Sequence, residues 1–128
     1  MENIIDSVLL TLPAKAEYVS TARLVASSIA NRIGFDIDEI EDVKVAVSEV
    51  CSTFVKKTAT SCEYIIQFMI KDSTLMVSFK CPCFTGDIFA DEDEALASAI
   101  ITALMDKVEF HPNSETIISM CKSIGENV

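Results

Sequence analysis

The residues able to do chemistry are few, and most are acidic. Glu49 and Thr53 stand four apart in a stretch of helical periodicity, so they share one helix face. A carboxylate placed there can act as a general base; a surface glutamate beside a threonine explains the same pair, and both readings stay open. Cys81-Pro82-Cys83, with Cys62 nearby in the expected register, invites a metal or thiol-sensor reading. Thiolate zinc sites leave two to four residues between their cysteines, whereas only Pro82 separates Cys81 from Cys83, and the lone His111 stands far along the chain. All three cysteines fall on the expected core face, where a thiol behaves as a small hydrophobe. No metal site is expected, and His111, beside Pro112, reads as a turn residue. The acidic clusters 36–42 and 91–94 hold nine of the 20 carboxylates. Each opens a helix, where negative charge complements the macrodipole. Phosphate prefers the same position, and the four carboxylates of Asp91-Glu92-Asp93-Glu94 would repel it.

The chain around these groups has 128 residues, half of them apolar, with a formal charge of −10 and 3 glycines. That length suits a single domain, 1–128, with one ordinary core. The acidic balance argues against a nucleic-acid partner, since phosphate backbones recruit lysine and arginine. Seven phenylalanines exclude a disordered acidic tail. No apolar run approaches the roughly 18 residues of a membrane span. Met1-Glu2-Asn3-Ile4-Ile5-Asp6 lacks the basic start of a signal peptide. Five cysteines without secretory context are expected as reduced thiols, in the cytoplasm.

Periodicity then supplies the elements that must position the candidates. Residues 6–12 predict a strand ended by Pro13. A first helix runs from Ala16 to about Ile33, with Val19, Ala22, Ala26, Ile29 and Ile33 inward, and Gly34 stops it. Asp38, followed by Glu41, is the expected N-cap of a second helix reaching about Lys57, with Ile40, Val43, Val47, Val50 and Phe54 on its stripe. Residues 62–71 and 74–81 predict a hairpin about Asp72-Ser73. Pairing 71 with 74 sets Cys62, Tyr64, Ile66, Phe68 and Ile70 beside Cys83, Cys81, Phe79, Val77 and Leu75. A third helix to about Asp106 is expected to bury Leu96, Ala99, Ile100, Ala103 and Leu104, and two strands, 108–110 and 116–122, end the chain. The order β-α-α-β-β-α-β-β predicts an α+β two-layer sandwich, helices on one face of a mainly antiparallel sheet.

Several of these stretches are familiar. Leu12-Pro13-Ala14-Lys15-Ala16-Glu17-Tyr18-Val19, Arg23-Leu24, Ile33-Gly34-Phe35 and above all residues 38–49, ending Val47-Ser48-Glu49, resemble the bacterial anti-sigma-factor serine kinases of the GHKL (Bergerat-fold) ATPase superfamily. The likeness continues at Leu104-Met105-Asp106-Lys107-Val108 and Ser119-Met120-Cys121-Lys122. The resemblance implies a histidine-kinase-like ATPase fold and a dimer that silences an alternative sigma factor. It also implies phosphorylation of a STAS-type anti-anti-sigma protein, with ATP-Mg held between the second helix and a lid.

The family's three nucleotide motifs are altered here. Glu49 keeps the general-base position, but Thr53 stands where the family has a Mg²⁺-binding Asn. Cys81-Pro82-Cys83 replaces the Asp-x-Gly that reads adenine, and Ala95 and Ala97 replace phosphate-loop glycines. Eleven residues between Cys83 and Ala95 leave little lid, and a lid too short to cover the phosphates cannot exclude water. The expectation is a catalytically inactive binding module without ATP-Mg, meeting a sigma factor or a STAS-type protein. The alternative is a divergent active kinase using Glu49. Glu17, Tyr18 and Arg23 occupy the stretch that the resemblance assigns to partner contact; Arg23 reads equally as a snorkelling surface arginine. An acidic domain suits a sigma factor's basic DNA-facing surface.

Overall fold

The computed structural model describes residues 4–84 and 86–125; Met1-Glu2-Asn3, read above for the missing basic start, lie outside the described residues. Five strands, β1 (Ile4–Pro13), β2 (Glu63–Lys71), β3 (Thr74–Lys80), β4 (Lys107–Phe110) and β5 (Thr116–Ser123), form one sheet in the order β1-β2-β3-β5-β4. Every neighbouring pair is antiparallel. Helices α1 (Val19–Ile33), α2 (Ile37–Lys57) and α3 (Ala95–Leu104) cover one face, and 3₁₀ turns Ala16–Tyr18 and Glu92–Glu94 lead into α1 and α3. This is the predicted α+β sandwich in the predicted order. No helix among the described residues is long and apolar enough to cross a membrane.

The β2–β3 register follows the alternation of apolar side chains. Lys71 pairs with Thr74, Ile70 with Leu75, Phe68 with Val77 and Ile66 with Phe79. Phe68, Val77, Ile66, Phe79 and Leu75 are fully buried under the helices, while Gln67, Ser78 and Lys80 point to the helix-free face. A one-residue slip would expose this entire set, so the pairing is strongly specified. Asp72 turns the hairpin at φ 54°, a conformation that aspartate tolerates better than most residues. Above the hairpin, α2 buries Val43, Val47, Val50 and Phe54 as expected, with Ala46 and Cys51 beside them; Ile40 is half-buried. Phe54 meets the Tyr64 ring at 5.1 Å and the Phe79 ring at 6.0 Å.

Two helix expectations need correction. The N-cap of α2 is Asp36, not Asp38. The Glu39 N–H donates to Asp36 Oδ1 at 2.8 Å, and the Asp36 N–H donates to Glu39 Oε1 at 2.9 Å. The sequence holds two overlapping Asp-x-x-Glu boxes, 36/39 and 38/41, and the entry of the chain chooses between them. Gly34 ends α1 at φ 103°, Phe35 then drops into the core, and the half-buried Ile40, five residues on, packs against that core, the staple spacing that fits Asp36 as cap. The third helix stops at Leu104 and buries Ile101, with Ile100 and Leu104 half-buried; Ala99 and Ala103 are exposed and Leu96 is 72% exposed. An almost wholly apolar decapeptide, ALASAIITAL, carries no polar face to define its rotation. Its neighbours set that rotation instead.

A lysine on the core face of β5 shows how the helix ends are tied. Lys122, opposite Leu75, is 9% exposed. Its ammonium donates to the Leu104 carbonyl at 2.8 Å and lies 3.4 Å from Asp42. It thus satisfies an orphan carbonyl at the end of α3 and links α2 to α3. The two candidate caps give a direct test: Asp36→Ala lowers stability by about 1 kcal/mol, the usual loss for a cap. Asp38→Ala changes it little. Urea denaturation followed by helical circular dichroism measures both, and equal losses would return the cap to Asp38.

Candidate functional site

The α2 face carrying Glu49 and Thr53 looks toward the 3₁₀ turn Glu92–Glu94 and the first residues of α3. A shallow cavity of about 210 Å³ lies between them, lined by Glu49, Ser52, Thr53, Lys56, Glu94, Leu96 and Ala97 among others. The structure therefore brings together three of the expected site residues, Glu49, Thr53 and Ala97. Ala95 opens α3 on its exposed side, and Cys81 and Cys83 lie elsewhere, past the end of β3. Thr53 is buried, and its Oγ1 donates to the Glu49 carbonyl one helical turn back at 2.8 Å. That hydroxyl is engaged by the helix backbone. The Glu49 carboxylate is half-exposed and joins no ion pair among the described residues.

The acidic run has a partner that helix-dipole reasoning did not foresee. Glu94 is 2% exposed, its Oε2 2.9 Å from the Lys56 ammonium and its Oε1 2.8 Å from that of Lys57. Lys57 also pairs with Asp91. Two lysines in the last turn of α2 thus hold two carboxylates at the entrance of α3. The correction is one of cause: the run is placed chiefly by Lys56 and Lys57, whose charges also complement the α2 carbonyl end. The Lys57 ammonium, and then that of Lys56, hold the Glu94 carboxyl below its ordinary range. The Asp91 carboxylate, then Glu94, raises Lys57. Lys-Lys at 56–57 and the acidic run at 91–94 were complementary signals in the sequence, but nothing local paired them.

The cysteines also depart from expectation. Of the three placed on the core face, only Cys81 is buried; Cys62 is half-buried and Cys83 is exposed. The strand ends at Lys80, and a turn closed by the Phe84 N–H donating to the Cys81 carbonyl at 3.0 Å swings Cys83 outward. The Cys81 thiol lies 3.9 Å from the Glu63 carbonyl. Cys51, unmarked by any motif, is fully buried beside the Tyr64 hydroxyl, and desolvation pushes its thiol up to about 12. Among the described residues no three His, Cys, Asp or Glu side chains gather as a metal site requires. His111 follows β4 and meets the Ser119 hydroxyl at 3.1 Å.

Two further surfaces lie away from the Glu49 face of α2. A cavity of about 480 Å³ opens on the helix-free side, lined by Ile65, Lys80, Pro82, Phe84 and Glu115 among others; three distant segments form it, so sequence reading missed it. Glu17, Tyr18 and Arg23 are exposed around the start of α1, where the Ser20 hydroxyl donates to the Glu17 carbonyl at 3.4 Å and the Tyr18 N–H to the Lys15 carbonyl at 3.1 Å. The depressed Glu94 carboxyl gives a pH test. Its contribution to stability is complete above the ordinary carboxylate range and is lost as pH falls through the lower folded value. Glu94→Gln therefore melts below the parent at pH 7, and the gap closes on acidification from about pH 5 downward. Melting curves read it; a gap independent of pH would remove Glu94 as a stabilising anion.

The comparisons with known proteins agree with this arrangement. The model of the histidine kinase-like ATPase domain matches residues 12–79, from the end of β1 through β3. The serine-protein kinase RsbW of Bacillus subtilis (strain 168) is 32% identical over 150 residues, covering 100% of this chain and 92% of that protein. RsbW of Halalkalibacterium halodurans is 30% identical over 134 residues, covering 91% of this chain and 83% of that protein. The crystal structure of the RsbU and RsbW domains of Rv1364c from Mycobacterium tuberculosis superposes with a TM-score of 0.61 at 15% identity. It covers 93% of this chain and 31% of that longer one, a likeness of fold. With this match running from the end of β1 through both long helices into the β2–β3 hairpin, and with these relatives, the chain belongs to the histidine kinase-like ATPase domain family and is a relative of the proteins named serine-protein kinase RsbW.

Proposed function

We propose that this protein is a catalytically inactive RsbW-type regulator, acting by protein–protein contact with a sigma factor or a STAS-type anti-anti-sigma protein. Glu94 carries the reading. Its buried carboxylate stands at the head of α3, where the family's phosphate loop would lie, and engages both Lys56 and Lys57. A triphosphate brought there finds the two nearby ammonium groups already engaged by Glu94 and Asp91 and must compete with those carboxylates for them. The 210 Å³ beside Glu49 is below the roughly 300 Å³ at which small-molecule sites begin. Thr53 offers a hydroxyl engaged by the Glu49 carbonyl, and Cys81 offers no carboxylate for an adenine amino group. These residues do not fit ATP-Mg, and no phosphoryl-transfer step is drawn through it.

The second reading, a divergent active kinase or ATPase, rests on Glu49, which borders the cavity as a general base would and joins no ion pair among the described residues. Isothermal titration with ATP-Mg separates the two. The inactive reading expects no heat of binding at micromolar nucleotide, and a micromolar, Mg-dependent affinity would overturn it.

For the partner, the charge of −10 suits a basic surface, and Arg23, Tyr18 and Glu17 offer exposed contacts at the start of α1. A homodimer, implied by the resemblance, belongs to the same reading; sedimentation equilibrium separates it from a monomer. The setting is cytoplasmic, with neither nucleic acid nor membrane as partner. Affinity capture from the native host identifies the partner, and Arg23→Glu then weakens it by about tenfold or more, as reversal of a central interface arginine does. Unchanged affinity would move the contact surface away from α1.

A further inference from the structure

The helices cover one face of the sheet, and the other has a charge balance unlike the rest of the chain. Its strand positions include Glu63, Lys71, Lys80, Lys107 and Glu109, all at strand ends or on the edge strand β4. Lysines outnumber carboxylates there, although the whole chain carries −10. Lys80 pairs with Glu115 at 3.2 Å, and Lys107 lies 3.9 Å from Glu109. The centre of the face holds Leu9, Ile65, Met69, Met76 and Cys121 among hydroxyl residues and Gln67, with no charge.

Two features of this face complement each other. On the edge strand β1, Leu9 stands 66% exposed. Toward the opposite edge lies a cavity of about 210 Å³, lined by Met76, Ser78, Lys107, Glu109, Ser119 and Cys121 among others. Knob and hollow share one row of the sheet: Leu9 pairs with Gln67, Gln67 with Ser78, Ser78 with Ser119, and Ser119 with Glu109. A two-fold axis parallel to the strands, midway between two stacked sheets, keeps that row and exchanges the edges. It therefore sets Leu9 of each copy over the hollow of the other. We propose that this face is a self-association surface, on which a second copy stacks sheet against sheet with Leu9 of each seated beside Met76 and Cys121 of the other. This surface rests on the homodimer proposed above, for which it supplies the contact.

Charge selects the occupant. Two copies at −10 repel wherever their carboxylates meet, and on this face the carboxylates are confined to the margin. A basic partner gains little here and is drawn to the acidic helix side. Strands about 4.8 Å apart, with about 3.4 Å per residue, make a plane of roughly 20 by 25 Å. With the relief of its side chains, that plane approaches the surface of about 800 Å² that each partner buries in a stable complex. Met69 and Met76 can adapt their shape to an opposing sheet.

Sedimentation equilibrium of the full chain, up to about 100 µM, tests this surface beside the variants Leu9→Glu and Leu24→Glu. Leu24 on α1 is 71% exposed and serves as the control. The parent is expected as a dimer that tightens with salt, because screening relieves the repulsion between acidic copies. Leu9→Glu weakens it by about tenfold or more, since a carboxylate then enters the hollow beside Glu109, and Leu24→Glu leaves it unchanged. Circular dichroism checks that each variant is folded. Mild oxidation of Leu9→Cys is expected to link position 9 to Cys121 of the second copy, mapped by mass spectrometry. A dimer that Leu9→Glu leaves intact would overturn this surface while the homodimer stands. A parent still monomeric at the highest concentration removes the homodimer and this surface together. A link between the two copies at position 9 would replace stacking by edge-to-edge pairing of β1. Loss of a host partner by Leu9→Glu, with the dimer intact, would give the face to that partner instead.

Discussion

The packing of α2 on the β2–β3 hairpin is the contact from which the other features hang. Val43, Val47, Val50 and Phe54 recur on one stripe and lie against Ile66, Phe68, Val77 and Phe79, all fully buried. Each such side chain contributes about 1.5–3 kcal/mol by leaving water, and the contacts of Phe54 with Tyr64 and Phe79 add to this. With that stripe inward, the rotation of α2 is no longer free. Glu49 and Thr53 must then border the cavity, Asp42 must face Lys122, and Lys56 and Lys57 must lie at the end that receives the acidic run. The site follows from the core.

The Glu94 cluster illustrates when a buried carboxylate is tolerable. Burial of an isolated charge is costly, but Glu94 has an ammonium at each oxygen, and Lys56 remains 56% exposed in its side chain. The cluster stays partly hydrated on one side while its centre is dry. Such an arrangement is hard to vary by halves, because removing one partner strands a charge. It also orients α3, whose apolar sequence gives no rotational preference of its own. One cluster accordingly fastens the third helix and engages both ammonium groups at the end of α2.

Sulfur chemistry in the same fold divides by depth. Cys51 lies in the core beside the Tyr64 hydroxyl, where desolvation suppresses the thiolate, whereas Cys62 is half-buried and Cys83 exposed. Residue type alone treats these as equivalent small hydrophobes. For Cys83 the difference arises from the turn Cys81 to Phe84, which redirects the chain after β3.

Much of this was legible in the amino-acid sequence. Alternation at period two, together with the short Asp72-Ser73 turn, determined the β2–β3 register down to the pairing of Lys71 with Thr74, and the 3.6-residue stripe determined which side of α2 is buried. Glu49 and Thr53 had to share a face for the same reason. These are local patterns with a strong contrast between apolar and polar positions. Tertiary structure decided the cases where that contrast was missing or the partners were remote. It chose Asp36 over Asp38 because Phe35 could reach the core, and it turned α3 onto Ile101 through packing and ion pairs. It also joined Lys56 and Lys57 to an acidic run more than thirty residues away, and moved Cys83 from the interior to the surface. Sequence periodicity reports which face is apolar; only the folded chain reports which charges and thiols are brought together, because that depends on where separate elements dock.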